Sequence, residues 1–363
     1  MSELIQKHDN RATIRWKLLT GASALALTAY VSSAGLARAE DTGHPVVWIE
    51  AGGAFDQLTA NNTLWLSPNT PAPQANPTPP FGTLPQAGYD ADFKLSLTPN
   101  DSDWIYSVGL IYGRSLRGHK TNHDQTYNTR IAFHTAYGAP KYVYTNWNFA
   151  NTQQRSDAKH LILDFQAGKD VGLGMFGGKS TLSVGVRWAR LREAASGHMS
   201  GATNATYHGD RPYATETHVI ADFLAKHSFS GIGPSIAWDS SVPFAGQPSD
   251  GLSIDWGINA ALLFGKQKTR TNLHTHSSYC ATFIHGCTPG TGSTQTIKRD
   301  KTVMVPNLGG FAGISWRLPN AKVSIGYKAD FFFNAIDTGV YARKTENRGF
   351  YGPFASISIG IGD

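Results

Sequence analysis

Residues 251–265 read GLSIDWGINAALLFG. Leu252, Ile254, Trp256, Ile258, Ala260, Leu262 and Phe264 occupy every second position, with Ser253, Asp255, Gly257 and Asn259 between them. Successive strand side chains point to opposite faces, so this run is a β-strand with one apolar and one mostly polar side. The same period recurs along the chain. Phe93, Leu95 and Leu97 oppose Asp92, Lys94 and Ser96; Trp104, Tyr106, Val108, Leu110 and Tyr112 oppose Ser107 and Gly109. Leu161, Leu163 and Phe165, then Leu182, Val184, Val186 and Trp188, repeat it, as do Val323–Phe331 and Ile357, Ile359 and Ile361. After residue 39 no segment carries a convincing 3.6-residue period.

A soluble sandwich and a transmembrane barrel both produce such alternation. Sandwich strands usually run 5–6 residues, whereas barrel strands need about 9–11 residues with aromatic residues at both interfaces. The runs here last 9 to 15 residues. Trp104, Tyr112, Trp188 and Trp316 stand near run ends, and Gly and Ser crowd the polar face. Length and aromatic placement favour an all-β, antiparallel transmembrane β-barrel.

Connections are consistent with that choice, because outer-membrane barrels alternate short periplasmic turns with long external loops. Short connections are expected near 99–103, 138–141, 169–179, 241–250 and 318–320. Longer ones are expected at 58–87, 118–125, 151–157, 194–222, 269–300 and 336–349, the first of them Pro-rich. The count is twelve strands, with both chain ends on the periplasmic side. If the hairpin 126–137/142–150 stands above the membrane, the count is ten.

Residues 1–39 read as a signal peptide: a basic start, an apolar stretch 18–36 (LLTGASALALTAYVSSAGL) and small residues at Ala37 and Ala39. Residues 40–363 would then form the barrel. The leader carries five Lys/Arg and two Asp/Glu, so removing it lowers the net charge from +6 to +3. No Lys/Arg-rich run remains to argue for nucleic acid. With 40% hydrophobic residues and one long apolar stretch, the chain is no polytopic helical membrane protein.

Cys280 and Cys287 lie in SSYCATFIHGCTPG. An exported chain meets an oxidising compartment, where the pair would close a small disulfide loop; a two-Cys metal site is the alternative. His274, His276 and His285, and His119 with His123, are read as solvated loop residues rather than zinc or copper ligands. The motif 172–177 (GLGMFG) matches a dinucleotide fingerprint without the strand and helix that fingerprint requires. His208 and Asp210 near Ser200 could activate water at an external rim, but no nucleophile elbow accompanies them.

With the polar faces inward, the pore-lining residues are Glu50, Asp92, Asp164, Asp239, Asp255 and Asp330 against Lys94, Arg130, Arg187, Arg317, Lys322 and Lys328. Six acids against six bases describe either a salt-bridge ladder in a plugged barrel or a watery pore of weak selectivity.

Several stretches resemble the pore-forming outer membrane proteins related to the Legionella major outer membrane protein. They are 163–189 (LDFQAGKDVGLGMFGGKSTLSVGVRWA), 231–268, 305–317 (VPNLGGFAGISWR), 321–337 and 349–362. The resemblance covers the C-terminal two-thirds and implies a channel-forming barrel. The ending Ile361-Gly362-Asp363 departs from the terminal aromatic many such barrels carry. The expected function is passive passage of small solutes or ions in the outer membrane of a Gram-negative bacterium. Outer-membrane lipid and lipopolysaccharide would surround the barrel, and its exposed apolar belt leaves room for a homo-oligomer. No cofactor, metal or catalytic centre is expected. The alternatives are a barrel enzyme acting on envelope lipid or peptide, and an adhesin for which the barrel is an anchor.

Overall fold

The computed structural model describes residues 47–59, 86–99, 102–116, 118–122, 126–134, 140–172, 179–208, 213–247, 250–281, 286–339 and 342–361. The proposed leader 1–39 lies outside them. Twelve strands appear in chain order: β1 (Val47–Thr59), β2 (Gln86–Leu97), β3 (Trp104–Ser115), β4 (Gly118–Asn122), β5 (Thr126–His134), β6 (Pro140–Asp170), β7 (Lys179–His208), β8 (Tyr213–Gln247), β9 (Asp250–Ala281), β10 (Gly286–Leu318), β11 (Ala321–Asp337) and β12 (Thr345–Ile361).

Ten of the twelve close a ring of antiparallel pairs. Sequential hairpins join β6 through β12 and β1 through β3; β12 pairs β1, and β3 pairs β6 from Trp104↔Lys169 to Arg114↔Lys159. β4 carries on along β6 where β3 leaves off, with Gly118 opposite Ser156, and β5 pairs the first residues of β6. The β5–β6 hairpin therefore stands outside the ring, and the ten-strand form is the one the barrel adopts. Closure gives each of the ten ring strands a partner on both sides, which a lipid environment requires.

The alternation points the way the sequence implies. Ile232 (54% exposed), Ile258 (52%) and Ile325 (61%) look outward, while Leu263, Val305 and Phe229 look inward at 0%. Trp104 and Trp316 mark the short-turn end of this apolar belt, and Tyr89, Tyr112 and Phe264 the other, the two aromatic girdles of an outer-membrane barrel.

One expectation needs correction. The intervals 194–222 and 269–300 are not mainly loops but the outer halves of the hairpins β7–β8 and β9–β10, paired from Lys179↔Ser241 to His208↔Tyr213 and from Arg317↔Gly251 to Gly286↔Ala281. Likewise 118–122 forms β4, 151–157 lies within β6, and 336–337 and 345–349 lie within β11 and β12. Beyond the membrane the outer face meets water, so the apolar half of the alternation disappears while pairing continues.

Candidate functional site in the barrel interior

The inward faces are packed in successive groups. Toward the short-turn end, Asp255 accepts hydrogen bonds from Ser241, Ser253 and Ser315, and Lys322 Nζ lies 2.5 Å from its Oδ2. Arg317 completes the group at 3.9 Å. Lys322 and Arg317 side chains keep 30% and 26% exposure, so water enters from this end.

Farther in, Arg187 is 3% exposed. It donates to both oxygens of Asp164 at 2.7 and 2.9 Å, to Asn259 at 2.8 Å and to Asn307, and lies 3.8 Å from Asp330. The planar fork suits this bidentate pairing. Beside it, Lys328 Nζ bridges Asp92 at 2.7 Å and Asp90 at 3.2 Å, and His160 Nε2 meets Asp90 at 3.1 Å. Asp56, Asp90 and His160 bring one ligand atom each within 4.8 Å of one another. These donor types could hold a divalent cation, although Lys328 already supplies positive charge to the same carboxylates. Gly113 makes the arrangement possible, because a Cβ there would sit 2.0 Å from both Asp90 Oδ1 and the His160 ring.

An apolar layer lies against this polar column. Eight of the ten ring strands each place a buried residue in it: Leu58, Ile162, Leu191, Phe229, Leu263, Val305, Phe332 and Phe350. Ile111 of β3 packs on its edge. The Phe350 ring centroid lies 3.8 Å from that of His160 in a tilted contact and 6.2 Å from that of Phe332 in an edge-to-face one, joining the layer to the polar column.

Another charged group caps the layer. Arg348 donates to Glu193 and, at 3.5 Å, to Glu346. Burial pushes the His227 imidazole below its ordinary 6.5, against the opposing pull of Glu193. Burial alone would raise the Asp337 carboxyl. Hydrogen bonds from Arg299 and from the backbone N–H groups of Lys344 and Gly339 outweigh it and hold Asp337 below the usual carboxylate range.

Of the residues singled out from sequence, Asp92, Asp164, Arg187, Asp255, Arg317, Lys322, Lys328 and Asp330 meet in the interior groups just described. Glu50 and Lys94 face each other as Cα partners, and Asp239 lies on β8 opposite Gly257. Arg130 does not join them. It lies on β5 opposite Tyr144, off the closed ring, because the barrel closes through β3 and β6 instead. Cys280 and Cys287 are Cα partners across β9 and β10. His274 and His276 are exposed strand residues rather than loop residues; His123 and His285 lie outside the described residues. Ser200 and His208 stand eight positions apart on β7, about 27 Å along a strand, and Asp210 lies outside the described residues. Gly172 has φ 66° in a turn, and the rest of that glycine motif lies outside the described residues.

Asp56, Asp90 and His160 were not anticipated. Each shares the inward parity of a residue that was: Asp56 with Glu50, Asp90 with Asp92, His160 with Asp164. Following that parity a few positions outward would have found them.

A closed antiparallel ring with an apolar outer belt, two aromatic girdles and a polar interior defines an outer-membrane β-barrel. The family model described as Legionella pneumophila major outer membrane protein precursor matches residues 63–361, and the chain belongs to that family. The outer membrane of a Gram-negative bacterium is therefore its location, with the membrane lipid in contact with the belt. No curated protein matches the chain. Among solved structures, the chain is similar to the translocator domain of the autotransporter NalP from Neisseria meningitidis (10% identity, TM-score 0.28, 96% of each chain covered). It is also similar to the transport unit of the autotransporter AIDA-I from Escherichia coli (8% identity, TM-score 0.23, 93% of this chain and 98% of that one).

Proposed function

We propose that the protein is a barrel anchor that displays a tall extracellular β-sheet and keeps its lumen shut to solutes at rest. The observation that carries this reading is the apolar layer, to which eight ring strands contribute and in which Phe229, Phe332, Leu263 and Val305 are 0% exposed. Ions cross such a layer only if it moves, because leaving water for an apolar medium is costly. The strand lengths point the same way. β7 to β10 run 30, 35, 32 and 33 residues, where crossing the bilayer needs about 9–11. The excess stands at the cell surface, as an adhesin-like module would require. The facing positions of Cys280 and Cys287 support a disulfide near the tip of the β9–β10 hairpin. No catalytic role is proposed.

A second reading, a gated pore for small solutes or ions, is favoured by the half-wet charges Lys322 and Arg317 inside the short-turn end. It requires the apolar layer to open. Planar-bilayer recording of the purified, folded protein separates the two. The native protein is expected to be silent or to flicker briefly, and Phe229→Ala with Phe332→Ala to give stable stepwise currents. Stable currents from the native protein would establish the pore and overturn the closed anchor.

A further inference from the structure

The outer surface of β6 to β10 changes character between two adjacent rows. One row across the five strands, in register, is Leu163, Trp188, Ile232, Phe264 and Met304. All five are apolar and face lipid. The next outward-pointing row is Leu161, Arg190, Ser230, Lys266 and Thr302; above it come Lys159, Arg192, Ser228, Lys268 and Asp300, then Asp157, Ala194, Lys226, Arg270 and Lys298.

These three rows hold eight cations and two acids. Asp300 lies 3.8 Å from Lys268, and Asp157 lies 3.8 Å from Lys159 and 3.5 Å from Arg114. Arg190, Arg192, Lys226, Lys266, Arg270 and Lys298 are all exposed and make no ion pair among the described residues. With strands about 4.8 Å apart and alternate residues about 6.8 Å apart, the grid measures about 20 by 14 Å.

A general wish for solubility would spread charge around the ring, and it is not spread. On β12, β1 and β2 the outward positions just beyond the belt are Gly349, Asn347, Gln57 and Ala87. Charge is concentrated on one side, directly above lipid-facing side chains, on the face that meets the outer leaflet. The ligand complementary to that placement has acyl chains below and anionic groups immediately above them.

We infer that the outer face of β6–β10 is a binding site for the phosphorylated head group of outer-leaflet lipopolysaccharide. Its acyl chains would lie against Trp188, Ile232 and Phe264. Its phosphates would be held by Arg190, Arg192, Lys266, Lys268 and Arg270, with guanidinium groups supplying the bidentate contacts. This site goes beyond the anchor reading and is independent of whether the lumen conducts.

The test uses purified full-length protein in nanodiscs of zwitterionic phospholipid. Lipopolysaccharide with bis-phosphorylated lipid A, and the same lipid after phosphate removal, are titrated in separately, and bound lipid per protein is counted by native mass spectrometry. The native protein is expected to prefer the phosphorylated form by about tenfold or more, given the attraction of several surface cations for anionic lipid. Arg192→Gln, Lys266→Gln, Lys268→Gln and Arg270→Gln together are expected to abolish the preference, whereas Lys169→Gln at the short-turn end leaves it intact. All four side chains of the grid variant are water-exposed, and its folding is verified by heat-modifiable migration on gels. Equal binding of the two lipids by the native protein, or a preference that survives in the grid variant, would overturn the site.

Discussion

Arg187 is the side chain on which most of the barrel interior converges. Its guanidinium neutralises Asp164 and Asp330 and donates to Asn259 and Asn307, so four strands meet on one residue. Removing one partner of a buried ion pair is costly because the other is left uncompensated. Arg187→Met is accordingly expected to lose about 3–5 kcal/mol of stability, read as a lower temperature for loss of the fast-migrating folded form on gels. Adding Asp164→Leu should restore part of the loss. An unchanged transition for Arg187→Met would mean that water bathes this group. Side chains of this kind were legible in the sequence, since Arg187, Asp164 and Asp330 each fall on the polar parity of an obvious strand. Their partners were not, because which strands a closed ring brings across the lumen depends on tilt and register that no single strand encodes. His160 and Asp56 escaped for a simpler reason: they stand one or two residues past the last apolar outward position, where the alternation is no longer marked.

At the level of elements, the outer ends of β8 to β12 are held by titrating groups, and the two with shifted values act in the same direction. His227 has a depressed value in the fold, so its contribution is present above the unfolded value of 6.5 and fades as pH falls through and below it. Asp337 is depressed from 3.8, so its contribution is kept above that value and lost in more acidic solution. Acidification is thus expected to loosen this end in two stages, the first beginning below about pH 6.5, while the membrane belt stays intact. Amide hydrogen exchange, corrected for the slower intrinsic exchange of acidic solution, should show lower protection near Thr269, Asp337 and Arg348 at pH 5 than at pH 7. His227→Gln should remove the first stage, and uniform protection across that range would contradict the expectation. These same ends show the limits of sequence reading. In 251–265 the alternation was clear because lipid demands apolar side chains on one face. In 194–222 no alternation of large apolar residues remains, and Thr-, Ser- and Ala-rich sequence reads as loop although its pairing continues to His208↔Tyr213.

For the molecule as a whole, ten strands lie between the small barrels that side chains fill and the porins that leave a channel. The inward sequence decides which way this one falls. Truncating Phe332 alone in the apolar layer should cost about 3–5 kcal/mol and raise the frequency of brief openings in bilayer recordings, a smaller version of the double Phe variant's behaviour. The seam between β1 and β12 has a different kind of consequence. Val47 lies opposite Ile361 and Ala54 opposite Phe354, so the pairing that seals the ring joins the two most distant parts of the described chain. Such a contact comes late, because the whole intervening chain must be ordered before it is rewarded. Until β12 arrives, β1 and β11 are open templates for foreign strands. Delivery of Thr345–Ile361 is therefore the committing event in biogenesis. A chain ending at Lys344 is expected not to form a smaller barrel but to remain protease-sensitive and without a heat-modifiable form; a compact, protease-resistant nine-strand product would contradict this. The timing of assembly is thus fixed by the last strand of the ring, and every earlier strand must be kept from pairing elsewhere for as long as that strand is awaited.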